Sequence, residues 1–159
     1  KQVIDVTRPN VTFDQMTVDI YNSRVFLAGK HTWEPITINF REDVSNNVQK
    51  LVGEQLQKQF DFFEQSGAAS GSDYKFVTRI EILDGGNGAN AASVLDTYEL
   101  YGCYVENANY NTLNYATSEP VTVTLSIRYD NAIQTPQGTG IGTAVGRTVN
   151  TAITGGGST

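Results

Sequence analysis

The sequence predicts a mainly β domain with one covering helix, an α+β arrangement, and three stretches carry that prediction. Residues 36–40 and 121–129 alternate apolar and polar side chains with the period of two that half-buried strands require. Residues 45–66 switch to spacings of three and four, the period of a helix with a single apolar stripe.

The elements follow in chain order. Met16, Val18 and Ile20 oppose Thr17 and Asp19, which makes residues 16–21 a first strand buried on one side. A polar break at Asn22-Ser23 leads into residues 24–28, a strand or extended loop that stops at Gly29-Lys30. After Pro35, Ile36-Thr37-Ile38-Asn39-Phe40 alternates again. The helix, predicted over about residues 44–66, aligns Val48, Leu51, Val52, Leu56, Phe60 and Phe63, with Asp43 or Ser45 as its N-cap and Gly67 at its C-cap. One apolar stripe means that it covers a sheet. Residues 76–83 read as a strand, 84–92 as a Gly/Asn/Ala loop, 98–105 as an aromatic-rich strand and 107–119 as a loop.

Pro120 then introduces the clearest strand. Val121, Val123, Leu125, Ile127 and Tyr129 form a face that must be buried, while Thr122, Thr124, Ser126 and Arg128 must meet water. A β domain over residues 1–134 is followed by a Gly/Thr-rich tail, 135–159. In that tail Ile141, Val145, Val149 and Ile153 stand four apart, so a docking segment is the alternative to a disordered end.

Composition excludes several function classes. A chain of 159 residues fits one domain, and its 39% hydrophobic content is too high for disorder and too broken for a membrane span. The net charge of −6 argues against nucleic-acid binding by charge neutralisation. One cysteine closes no internal disulfide and fits a reducing compartment, and one His with one Cys builds no ordinary zinc site. The opening Lys1-Gln2-Val3 shows neither a Met nor a basic-then-apolar leader; this start implies a longer gene product or a removed segment.

No constellation carries chemistry. His31 has no nucleophile or orienting partner in sequence, and Cys103 reads as a small strand residue. The expectation is a protein that is not an enzyme and uses no cofactor or metal. Asp84-Gly85-Gly86-Asn87-Gly88 and the Gly138, Gly140, Gly142, Gly146 series read as turn chemistry, and the Asn10-Val11-Thr12 sequon as a chance match. Tyr98, Tyr101, Tyr104, Tyr110 and Tyr115 could form a stacking platform, but no basic residue is interleaved with them and a strand role is favoured.

The order of segments resembles the tail tube proteins of contractile-tailed phages of the T-even type, including their tube-initiator and baseplate-cap relatives. The carrying residues are Asn22-Ser23-Arg24-Val25-Phe26-Leu27-Ala28-Gly29, then Thr32-Trp33-Glu34-Pro35-Ile36-Thr37-Ile38-Asn39-Phe40, then the charged lead Arg41-Glu42-Asp43 into the helix. Tyr98-Glu99-Leu100-Tyr101-Gly102-Cys103-Tyr104-Val105 and the alternating run at 121–129 complete the match, which covers about residues 16–130. Most of the family's opening strand pair is missing from it, and the Gly/Thr tail is extra.

The resemblance implies a β-sandwich or barrel whose strands join those of neighbouring subunits, six copies to a ring, with rings stacked into a conduit for DNA ejection. It implies sheath and baseplate proteins as partners, DNA passing without specific binding, and a place in the virion tail after assembly in the host cytoplasm. Thr122, Thr124 and Ser126 would line the lumen, where a wall without cations lets a polyanion slide. Asn22, Arg24, Phe26 and Gly29 would meet the next ring. The alternatives are a secretion-system tube protein and, from a different class, a monomeric β-sandwich that binds a ligand through its tyrosines.

Overall fold

The computed structural model describes residues 3–116, 118–134 and 140–142. Strands β1 (Val3–Val6), β2 (Val11–Ile20), β3 (Ser23–Trp33) and β4 (Ile36–Arg41) precede helix α1 (Asn47–Gln59). A small ribbon of β5 (Phe60–Asp61) and β6 (Ser66–Gly67) follows, then β7 (Phe76–Leu83), β8 (Val94–Asn109), β9 (Thr122–Arg128) and β10 (Asn131–Gln134). The mainly β class with one covering helix is what the sequence predicts. Val145, Val149, Ile153 and all of the tail except residues 140–142 lie outside the described residues.

Six strands form an antiparallel sheet in the order β1-β4-β9-β8-β10, with β7 also paired to β8. Arg128 lies opposite Tyr104 and Asn131 opposite Tyr101, one unbroken register, so β9 and β10 are two halves of a strand running along one edge of β8. Strand β7 takes the other edge. The core sits where the inward residues of β4, β8 and β9 meet α1: Ile36, Leu100 and Val123 are fully enclosed, and Val48 and Val52 supply the helix side. Val123, Leu125 and Ile127 are buried while Thr122, Thr124, Ser126 and Arg128 are half-exposed, the alternation read from the sequence.

The helix differs from its prediction at both ends. Its N-cap is Asn46 in the left-handed region, with no side-chain cap bond, and Asp43 instead accepts from the Val44 N–H one turn earlier. It stops at Gln59 because that side chain is captured by β8: Gln59 Nε2 donates to the Val105 carbonyl at 2.9 Å, and Val105 N–H donates back to Gln59 Oε1 at 2.8 Å. Asp61 then accepts from Gln57 Nε2 and from the backbone N–H groups of Phe63 and Glu64, a local turn that competes with helix. Those donors hold the Asp61 carboxyl below the usual range. Phe63 therefore leaves the stripe for solvent and Gly67 belongs to β6 instead of a C-cap, while Leu51, inside the helix, lies off its buried side and is exposed.

Candidate functional site

The feature that the core does not explain is the β2–β3 ribbon. Among the described residues these two long strands pair with each other and with no strand of the main sheet. Residues 24–28, read as a strand or loop, belong to a strand that runs on to Trp33, and the strand predicted at residues 16–21 begins at Val11. The opening residues beyond the resemblance thus form β1 and the root of β2.

Three local devices shape the ribbon. Ile20 pairs with Ser23, leaving a two-residue turn in which Tyr21 has φ 48°, a strained value for a bulky residue. Phe13 opposes His31 but Gln15 opposes Ala28, so β3 carries one extra residue opposite Asp14. Gly29 sits in that bulge, where a Cβ would come within 2.9 Å of the Asp14 carbonyl oxygen, so the close approach of the two backbones requires glycine. At the root, Phe13, His31, Trp33 and Tyr129 form a ladder of ring contacts with centroids 6.2, 6.3 and 5.7 Å apart. Trp33 and Tyr129 are buried in the core, so the ladder ties the ribbon to it.

Cross-strand partners share a face, and the two faces differ in chemistry. One carries Met16, Val18 and Ile20 with Val25 and Leu27, all between 41% and 55% exposed. The other carries Gln15, Thr17, Ala28, the Asp19–Arg24 ion pair at 3.0 Å, and Phe26, itself 62% exposed. The ion pair is open to solvent and stabilises little. The alternation at residues 16–20 is real, but among the described residues no layer covers its apolar side. The predicted contact residues are thus spread over the ribbon: Asn22 in the turn, Arg24 and Phe26 on the mixed face, Gly29 in the bulge. The sequence reads Met16, Val18 and Ile20 as the buried side of a strand; the pairing of Val18 with Val25 across the short Tyr21-Asn22 turn adds Val25 and Leu27 and makes the row an exposed surface.

A second surface is polar. Thr124 Oγ1 donates to Asn39 Oδ1 at 2.7 Å, and Asn39 Nδ2 donates to Asp5 Oδ1 at 2.6 Å, a chain across β9, β4 and β1. Asn111 Nδ2 donates to Thr122 Oγ1 at 2.9 Å, and Ser126 faces Thr37 across the β9–β4 pair. Thr122, Thr124 and Ser126 lie together on this face, with Arg41 beside Thr122 at one end and Arg128 at the other.

The remaining candidates do not converge. Burial pushes the Cys103 thiol up, away from thiolate chemistry, and its Sγ donates to the Leu100 carbonyl at 3.2 Å. Asp84 accepts from Gly86 N–H, Ser93 N–H and Ser93 Oγ, which closes the β7–β8 loop and holds its carboxyl low. Among the described residues no group of His, Cys, Asp and Glu is arranged to hold a metal, and no helix is long and apolar enough to cross a membrane. The tyrosines are dispersed: Tyr104 packs edge-on against Tyr74, Tyr101 donates to Glu99, and Tyr115 stands free in a loop.

No family model matches the chain, and no curated protein matches it in sequence. Solved structures do match in fold. A chain of the anti-feeding prophage baseplate aligns with a TM-score of 0.61 at 10% identity, over 82% of this chain and 78% of that one. A chain of the anti-feeding prophage tube-terminating cap aligns with a TM-score of 0.60 at 12% identity, over 84% and 81%. A chain of the sheath–tube complex of an extracellular contractile injection system, in its extended state, gives 0.58 at 12% identity, over 84% and 80%. The fold is the tube-like fold of contractile injection machinery.

Proposed function

We propose that this chain is a structural subunit of a contractile tail, a tail tube protein or tube-initiator ring component, and not an enzyme. The observation that carries this reading is the ribbon: a hairpin with both faces bare among the described residues, standing beside a complete core. An isolated two-stranded hairpin is marginal in water. Covering the half-exposed row of Met16, Val18, Ile20, Val25 and Leu27 would contribute on the order of 5 kcal/mol, taking about 1.5–3 kcal/mol for full burial of each side chain. A stacked ring supplies two neighbours for two faces.

In this proposal the apolar row seats on the lateral neighbour, and the mixed face, with Asn22, Arg24 and Phe26 and shaped by Gly29, meets the next ring. Six copies close each ring. Thr122, Thr124 and Ser126 line the lumen, supported by their half-exposure and by the continuation of the polar face onto Thr37, Asn39 and Asp5. Between the two rings that six copies of Arg41 and of Arg128 would form, the wall of hydroxyls and amides gives a passing polyanion no further fixed cations. Sheath and baseplate proteins would contact the outside, DNA would pass without specific binding, and the assembly would lie in a virion tail built in the host cytoplasm. The fold match to injection-system components favours, as a second reading, a tube subunit of such a system whose lumen carries protein cargo.

Electron microscopy and size-exclusion chromatography of two variants test the assignment. Val18→Asp, on the apolar row, should leave a folded monomer that forms no rings. Phe26→Asp should form rings that do not stack. Phe26→Asp tubes as long as those of the parent would remove the mixed face from the inter-ring contact, and Val18→Asp rings would remove the apolar row from the lateral one.

A further inference from the structure

Among the described residues the main sheet ends at β1, at β7 and at the free side of β10. Open strand edges offer unpaired N–H and C=O groups to any passing strand. The free side of β10 is closed. Gln134 N–H donates to the Ile141 carbonyl at 2.8 Å. Ala132, two residues earlier and so on the same side of the strand, donates its N–H to Asn131 Oδ1 at 3.0 Å. Both outward donors of this short strand are therefore taken within the subunit.

The contact at residues 140–142 is close but lightly held. Gly142 has φ +97°, and a Cβ there would stand 2.5 Å from Ile133 Cγ2, so the backbone lies directly on that side chain and admits no other residue without moving. Ile141 adds little grip, since its side chain is 44% exposed. Among the described residues this seam is fastened by one backbone bond, and its apolar residue is exposed, so little holds residues 140–142 to β10.

We propose that residues 140–142 form a releasable strap. It closes the outer edge of β10 in the free subunit and gives way, on assembly, to an extended edge strand of a second copy. The partner is a second copy because a ring requires heterologous contact between unlike edges, and the same chain presents β1 and β7 as open edges for that purpose. The strap thereby delays strand addition until subunits are otherwise aligned. This inference rests on the polymerising role proposed above.

Two variants of the full chain test it. Gly142→Val should lift the strap, raising hydrogen exchange at the Gln134 amide by about fivefold or more, the loss of roughly one net backbone hydrogen bond, and leaving β9 amides unchanged. Its assembly lag, followed by light scattering, should shorten by a similar factor. Asn131→Ala, an exposed change that frees the Ala132 N–H, should shorten the lag by a smaller factor. Exposure of Gln134 with an unchanged lag overturns the proposal, as does a lengthened lag, which would make the strap part of the assembled interface. Should Gly142→Val fail to fold, Gly142→Ala, which brings a single methyl against Ile133, decides in its place: an exposed Gln134 amide with a shorter lag supports the strap, and an exposed amide with a parental lag removes it. A parent chain that never assembles sinks the tube reading and the strap with it, whereas assembly with the parental lag in both variants sinks the strap alone.

Discussion

Strand β9 and the outer half of the β2–β3 ribbon carry the same pattern and meet opposite fates. Val123, Leu125 and Ile127 alternate with hydroxyls and are buried; Met16, Val18 and Ile20 alternate with Thr17 and Asp19 and stand half in water. The difference lies in what the fold supplies. Beneath β9, Val48 and Val52 of α1 close the layer, and β4 and β8 flank it on both edges. Among the described residues the ribbon has only its own two strands. Period-two alternation thus specifies that a strand has an apolar side, while the presence of a cover is a property of the whole subunit or of its assembly.

Charge placed on each side of the patterns breaks this comparison with the largest effect. Val123→Lys should prevent folding, because an unpaired ammonium enclosed in the core costs several kcal/mol against a domain stability of about 5–15 kcal/mol. Thr124→Lys, one residue along and half-exposed, should fold and assemble, since its stem can reach into open water. The proposed lumen would then gain a ring of positive charge. Thermal melts of the two variants side by side check this: equal losses would mean that the hydroxyl face is buried and is not a channel wall.

A smaller effect is expected where ribbon and core join. His31→Ala removes the middle of the Phe13–His31–Trp33 ladder and should lower stability by about 1 kcal/mol, a fall in Tm of roughly 2–4 °C for a domain of this size. Assembly should persist, because the ring is not on the apolar row. A loss of tube formation with an unchanged Tm would place His31 in an interface instead.

Acid should produce the smallest effect. Three donors depress the folded pKa of Asp84, so its contribution is present above the ordinary carboxyl value near 3.8 and is lost as pH falls below it. As pH falls below 3.8 the Gly86 and Ser93 amides should lose protection while those of β9 hold. Lys75 has the opposite sign: the Asp130 carboxylate raises its pKa, so that contribution is present at neutral pH and disappears only as pH rises beyond the ordinary lysine value of 10.5. Melts repeated with Asp84→Asn should show no pH dependence from this loop.

Local patterning in the sequence determined much of this protein. The strands at residues 36–40, 76–83 and 121–129 are legible because alternation, β-branched content and flanking breakers agree there, and the helix is legible in Val48, Val52 and Leu56. The helix end is not legible. The apolar spacing continues through Phe60 and Phe63, and only the capture of Gln59 by Val105, a pairing of 46 residues' separation, stops it. Strand β10 is four residues long and exists because it continues the register of β9 along β8. The two faces of the outer ribbon follow from the Tyr21-Asn22 turn, since residues 15–20 pair with 23–28 in one register on the turn side of the Gly29 bulge, but whether anything covers them does not. Periodicity reports which residues of a segment lie on one side. Only tertiary structure decides what stands opposite that side, because the covering residues come from distant parts of the chain or, for the ribbon in the proposed tube, from another copy.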